Sequence, residues 1–138
     1  MLIVGFFHYL IIMSKFSKKI LHFHFGKEGG AERFFVNFAT ELSRHGWEQK
    51  FVIRPNRLWD NEITPLGEVY RSHNRYDWSA VPLHFHLRNI YRQWQPDVAM
   101  AWAPRAARLL PAGFKFRKVV RLGDFPTHLR YFKKADVI

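Results

Sequence analysis

The sequence predicts an α/β domain, a parallel sheet flanked by helices, and three observations carry that prediction. A continuous apolar run of strand length ends in a glycine-rich loop. The hydrophobic period after the loop is that of a helix, and a second apolar run follows the helix. Strand, glycine turn, helix and strand in that order form a βαβ unit, which implies parallel strands joined by a right-handed crossover. The 138 residues suit one domain, since single domains cluster at roughly 100–150 residues, and they do not accommodate two full α/β domains.

Residues 19–25 (KILHFHF) are apolar and aromatic without alternation, as expected of a strand buried on both faces. Gly26, Lys27, Glu28, Gly29 and Gly30 follow. Ala31, Phe34, Phe35, Phe38, Ala39 and Leu42 then fall at helical spacing, with Glu32, Arg33, Asn37, Glu41 and Arg44 off the stripe. Glu32 in the first turn, His45 in the last and Gly46 as a stop bound this helix. Residues 49–54 return to strand character, and Pro55 ends them. The stretch 56–80 is polar and loosely patterned, with Glu68, Val69 and Tyr70 as a short strand. From Pro82 a second helix carries Leu83, Leu87, Ile90, Tyr91 and Trp94 on one stripe, with His84, Arg88 and Arg92 outside it, and Pro96 closes it. Residues 97–102 (DVAMAW) predict a short buried strand, 104–110 a brief helix with Pro104 in its first turn, and 118–122 (KVVRL) another strand. Gly123, Asp124 and Pro126 lead into a helix bearing Phe125, Leu129 and Phe132, and residues 135–138 (ADVI) open one more buried strand. The chain stopping there reads as an interruption, because backbone groups in an unfinished central strand lack partners.

Residues 1–13 (MLIVGFFHYLIIM) are expected to lie outside the fold, and residues 14–138 to form the domain. The apolar run is shorter than the ~20 residues that span a bilayer. Its basic flank follows rather than precedes it, unlike a secretory signal. A misassigned start codon ahead of Met13, an interfacial anchor and an apolar tail all fit it.

Composition narrows the function. The 22 Lys and Arg against 11 Asp and Glu leave a formal charge of +11, which calls for an anionic partner: nucleic acid, a phosphorylated ligand or an acidic membrane surface. The absence of cysteine excludes disulfides, thiolate metal sites and cysteine nucleophiles and suits a reducing cytoplasm. Gly29 and Gly30 stand where a strand passes into a helix, whose unpaired N–H groups and dipole favour an anion, with Lys27 adding charge. The loop matches neither the dinucleotide nor the Walker pattern. It is therefore either an anion cradle or a tight turn that needs glycine for its dihedral angles.

The stretch Gly29-Gly30-Ala31-Glu32-Arg33-Phe34, after strand KILHFHF and before a helix ending His45-Gly46, resembles the Gly-Gly-x-Glu loop of family 4 glycosyltransferases. Those enzymes have the GT-B fold, two Rossmann-like domains facing across a cleft. The element order from Lys19 to Ile138, including Pro96-Asp97-Val98 opening a later strand, resembles the N-terminal half. The resemblance implies a single, truncated GT-B N-terminal domain. Lys27, Gly29, Gly30 and Glu32 would then lie by the donor diphosphate, and most of the domain would form the acceptor side. The family often has a histidine after the strand that corresponds to 118–122. Here Leu122-Gly123-Asp124 stands in its place, which makes Asp124 the candidate catalytic contact or else a helix cap. The family's donor-binding domain, with paired glutamates seven residues apart, has no counterpart in this sequence, so transfer would need that domain from elsewhere or from a second chain.

His22 and His24 share one face of their strand, as two metal ligands might, but no third ligand is near in sequence, and core or cleft-edge packing is preferred. His24, nearer the loop, is the site candidate. His84 and His86 are two apart on a helix and do not face each other. Arg105 follows a strand at the sheet edge where α/β ligands bind, and Arg121 precedes Asp124. Arg130, Lys133 and Lys134 could meet acidic lipid or acceptor phosphates, or form a solvated face. The expected function is the acceptor-side half of a retaining, metal-independent glycosyltransferase without a cofactor. Its nucleotide-sugar and its glycan or glycolipid acceptor would be substrates, handled in the cytoplasm or on the inner face of the membrane. The alternative is a basic domain that binds nucleic acid or another polyanion, although its cations are spread along the chain and no nucleic-acid motif appears.

Overall fold

The computed structural model describes residues 5, 19–73, 81–122 and 132–137. Five strands, β1 (Lys19–His24), β2 (Glu48–Ile53), β3 (Gly67–Arg71), β4 (Val98–Ala101) and β5 (Arg117–Val120), form one sheet in the order β3-β2-β1-β4-β5. Every pairing is parallel. Helix α1 (Gly30–Arg44) connects β1 to β2. A one-turn helix α2 (Asp60–Ile63) and a 3-10 turn (Thr64–Leu66) precede β3. Helix α3 (Val81–Asn89), continued by a π turn (Ile90–Trp94), precedes β4, and a 3-10 turn (Ala106–Leu109) lies between β4 and β5. The expected parallel α/β sheet is therefore present.

β1 is central and buried on both faces, as its unbroken apolar run requires. Ile20 faces the layer of Phe35, Phe38, Ala39 and Leu42 from α1, whereas Leu21 and Phe23 face Leu83, Leu87 and Ile90 from α3. α1 ends where the sequence places its stop. Gly46, at φ 80, reverses the chain, and the amides of Gly46 and Trp47 bond back to the carbonyls of Ser43 and Leu42, a Schellman closure that only glycine adopts without strain. The buried face of α1 differs from the predicted stripe. Ala31 is exposed and Phe34 half-buried, because the first turn projects past the strand ends, and Val36 is buried in the cluster that contains Ile63 of α2.

The weakly patterned stretch after β2 does hold the expected short strand, β3. Its α2 and 3-10 turns are too short to leave a hydrophobic period, so the sequence did not reveal them. The helix expected at 104–110 is reduced to a 3-10 turn, because Leu110 adopts an extended conformation ahead of Pro111. Val137 makes an isolated parallel bridge to Val119, with the Val120 amide donating to the Val137 carbonyl at 2.9 Å. Among the described residues this single bridge, with Asp136 exposed and Val137 half-buried, stands in place of the expected buried strand. The expected helix after Gly123 lies outside the described residues, as does the apolar start apart from Gly5.

β3 can pair closely with β2 only because Gly67 has no side chain: a Cβ there would overlap the Gln49 carbonyl oxygen. A Cβ at Gly30 would meet nothing within 4 Å. Gly67→Ala is expected to lower the unfolding free energy by about 1–3 kcal/mol in urea denaturation, with Gly30→Ala close to neutral.

Candidate functional site

The order β3-β2-β1-β4-β5 reverses direction between β1 and β4, and in open α/β sheets ligands bind beyond the carboxyl ends of the strands at such a switch point. Two side chains meet there. His24 ends β1, and Trp102 follows β4 with its amide held at 3.0 Å by the Phe23 carbonyl. Their rings stack at 6.0 Å between centroids and 15° between planes, with Phe35 and Trp59 completing an aromatic box around His24. His24 is 2% exposed. Its Nδ1 accepts the Gly26 amide at 3.0 Å, so in the neutral ring the proton is on Nε2. That atom is buried and has no partner among the described residues. Burial, reinforced by the charges of Arg121 and Arg57, pushes the His24 pKa down to about 4.

Beneath this box His22, fully buried, stacks on Phe51 at 5.0 Å. Trp102 Nε1 donates to its Nδ1 at 3.1 Å, and its Nε2 bonds Gln49 Oε1 at 3.0 Å. Gln49 Nε2 donates to the Ala39 carbonyl at 2.8 Å. Both ring nitrogens of His22 are thus engaged within the core, whereas His24 stands above it at the strand end. Among the described residues no group of three or more potential ligands converges on a metal position. Desolvation lowers the His22 pKa to about 3.

The glycine loop lies against the same box. Gly29, at φ 143, caps α1 without a side-chain bond, and the Arg33 amide donates to its carbonyl. Lys27 is exposed, and its carbonyl accepts the Trp59 indole N–H at 2.9 Å. Glu32 folds back over the loop: a Cβ on Gly26 would overlap its Oε1, and one on Gly29 would come within 3.1 Å of its Oε2. The cradle expected to face a diphosphate therefore holds the carboxylate of Glu32, which the α1 dipole favours.

Arg121, one residue past β5, lies 5.1 Å from the Phe34 ring and 5.8 Å from that of Trp102. The structure thus brings together His24, Gly29, Glu32 and Arg121. Arg105 is exposed after β4 at the same end of the sheet, whereas Asp124 and Arg130 lie outside the described residues. Sequence reasoning missed Arg54 and Arg57. Arg54 sits over the Phe25 ring at 5.7 Å, Arg57 reaches the Phe25 carbonyl, and the Nε of each is buried without a partner among the described residues. Their position directly after β2 was the available signal. Among the described residues, none of Arg54, Arg57, Arg105 and Arg121 forms an ion pair, which leaves the strand ends cationic.

No protein-family model matches the sequence. The chain is 45% identical over 121 residues to the lipopolysaccharide core biosynthesis glycosyltransferase LpsE of Rhizobium meliloti (strain 1021), which covers 87% of this chain and 36% of that protein. It is 40% identical over 121 residues to LpsD of the same organism, covering 87% of this chain and 35% of that protein. The chain thus spans about a third of the length of these relatives. Its fold matches the crystal structure of CalG4, the calicheamicin glycosyltransferase, with TM-score 0.52 and 21% identity over 84% of this chain and 35% of that one. The shared fold is a Rossmann-like parallel sheet flanked by helices, found in about a third of that glycosyltransferase. By sequence the chain is a relative of lipopolysaccharide core glycosyltransferases, which bears out the family resemblance of the Gly-Gly-x-Glu loop.

Two measurements follow from the buried histidines. Trp102→Phe leaves His22 Nδ1 without its donor and is expected to cost about 1–3 kcal/mol by chemical denaturation. Both histidines are held neutral in the fold while the unfolded chain takes up protons near the ordinary value of 6.5. Stability is therefore full above about pH 6.5 and falls with pH toward 4, by about 1.4 kcal/mol per pH unit for each group. His24→Gln should remove about half of that slope between pH 6 and 5, where carboxylates contribute little.

Proposed function

We propose that this chain forms the acceptor-side wall of a retaining glycosyltransferase that moves a sugar from a nucleotide-sugar to a glycan or glycolipid acceptor in lipopolysaccharide core assembly. The observation that carries this reading is the switch-point cluster, an aromatic box flanked by arginines on a fold and sequence related to glycosyltransferases. In the transfer, the bond from the sugar to the diphosphate breaks, a bond to an acceptor hydroxyl oxygen forms, and the nucleoside diphosphate leaves with the electron pair and takes up the hydroxyl proton. Fixed cations at the cleft lower the cost of that charge. Lys27, Gly29 and Gly30 face the diphosphate once Glu32 swings aside. His24, Arg105, Arg121 and Arg130 contact the acceptor, and Asp124 provides a polar contact to the sugar. The reading needs neither a metal nor a cofactor. A second domain or chain supplies the donor-binding wall, and residues 1–138 by themselves do not complete the reaction. The chain works in the cytoplasm, peripheral to the inner face of the membrane where a lipid-linked acceptor is presented. Among the described residues no helix is long and apolar enough to cross a membrane.

Titration of the chain by calorimetry and by indole NMR tests this. A lipopolysaccharide core oligosaccharide is expected to bind saturably and shift the Trp102 indole signal, with Arg121→Ala weakening it at least tenfold. UDP-glucose is expected to bind weakly or not at all. Tight, saturable UDP-glucose binding would overturn the acceptor-side assignment. Strongly salt-dependent capture of DNA, with no response to the oligosaccharide, would favour the polyanion-binding alternative.

A further inference from the structure

On the α3 side of the sheet, away from the switch point and α1, lies an open groove of about 320 Å³ between α3 with its π turn and the 3-10 turn after β4. Its floor is apolar and well braced. Tyr91 donates its hydroxyl to the Leu109 carbonyl at 3.0 Å and packs on the Phe114 ring at 5.3 Å. Its rim carries Arg88, Arg92, Arg108 and Lys134, and among the described residues no acidic one lines it. The neighbouring face of α3 is exposed and mixed in character. Val81, Phe85 and Arg88 fall at i, i+4 and i+7, hence on one stripe. Phe85 is 65% and Val81 41% exposed. They are two of the three large apolar side chains exposed among the described residues, the third being Leu58.

Apolar side chains left in water beside a cluster of cations suit a surface that offers both anions and hydrocarbon. We propose that this face docks on an anionic phospholipid bilayer. Phe85 and Val81 enter the boundary between headgroups and acyl chains, Arg88, Arg92 and Lys134 meet lipid phosphates, and the groove receives the headgroup region of one lipid. The net charge of +11 draws the chain to such a surface. The inference rests on the peripheral placement proposed above and names the surface responsible for it.

Co-sedimentation of the 138-residue chain with vesicles of phosphatidylglycerol and phosphatidylcholine, against pure phosphatidylcholine, tests both. Each surface cation contributes about fivefold to binding, so Arg88→Gln/Arg92→Gln should weaken capture by anionic vesicles roughly thirtyfold, and Phe85→Ser should weaken it as well. The comparison is Arg33→Gln/Arg44→Gln, which removes the same charge from α1 on the opposite face of the sheet and is expected to change binding little. Circular dichroism confirms that each variant is folded. If the parent binds and the two double variants behave alike, this surface is not the docking face, although the peripheral placement stands. If the folded parent ignores anionic vesicles, the peripheral placement fails and takes this inference with it.

Discussion

The hydrogen-bonded chain from the Ala39 carbonyl through Gln49 and His22 to the Trp102 indole is the constraint on which the rest of the structure depends. A histidine in the middle of the central strand brings two ring nitrogens into an aromatic core, where an unpaired polar atom is costly. Gln49 on β2 and Trp102 after β4 satisfy both, so the two strands flanking β1 are tied to it by side chains as well as by the backbone ladder. The same bonds set the ring of Trp102, and Trp102 in turn stacks on His24 and flanks Arg121. Core packing and site geometry are in this way one arrangement.

At the switch point the polar inventory is unbalanced. The strand ends carry His24, Arg54, Arg57 and Arg121, and the nearest carboxylate described there, that of Glu32, is folded over the glycine loop rather than paired with any of them. Elsewhere the described acids are well used: Asp60 pairs with Arg71, Glu62 with Arg33 and Glu68 with Lys50. Each of these carboxyls is held below its ordinary range chiefly by the hydrogen bond from its basic partner. Cations without an ion-pair partner among the described residues thus gather at one edge of a parallel sheet, and the proposed acceptor contact rests on that charge.

The relatives are lipopolysaccharide core glycosyltransferases about two and a half times as long as this chain. In the proposed reading the aromatic box with arginines at its border is one wall of a cleft, which orients a ligand without enclosing it. The α3 groove on the other side of the sheet is separate from that wall, so binding at the two faces does not compete for the same side chains.

What the sequence by itself determined was the scaffold. The uninterrupted run of β1, the helical stripe ending at Gly46 and the glycines of the first loop each act over a few residues, so the parallel α/β sheet and the position of its first crossover were legible. The burial of His22 agrees with the core or cleft-edge packing preferred for it, and the placement of His24 and Arg121 at strand ends was legible too. Tertiary structure alone decided the remainder. The pairing of His22 with Gln49 and Trp102 spans 27 and 80 residues of sequence, and no local pattern encodes such distant partners. Glu32 turning back over Gly26, Val36 being covered on the side of α2, and Arg54 and Arg57 gathering round Phe25 likewise arise only once separate segments share a surface. Backbone periodicity is a local property, whereas the environment of a buried polar atom is set by whatever the whole fold brings beside it.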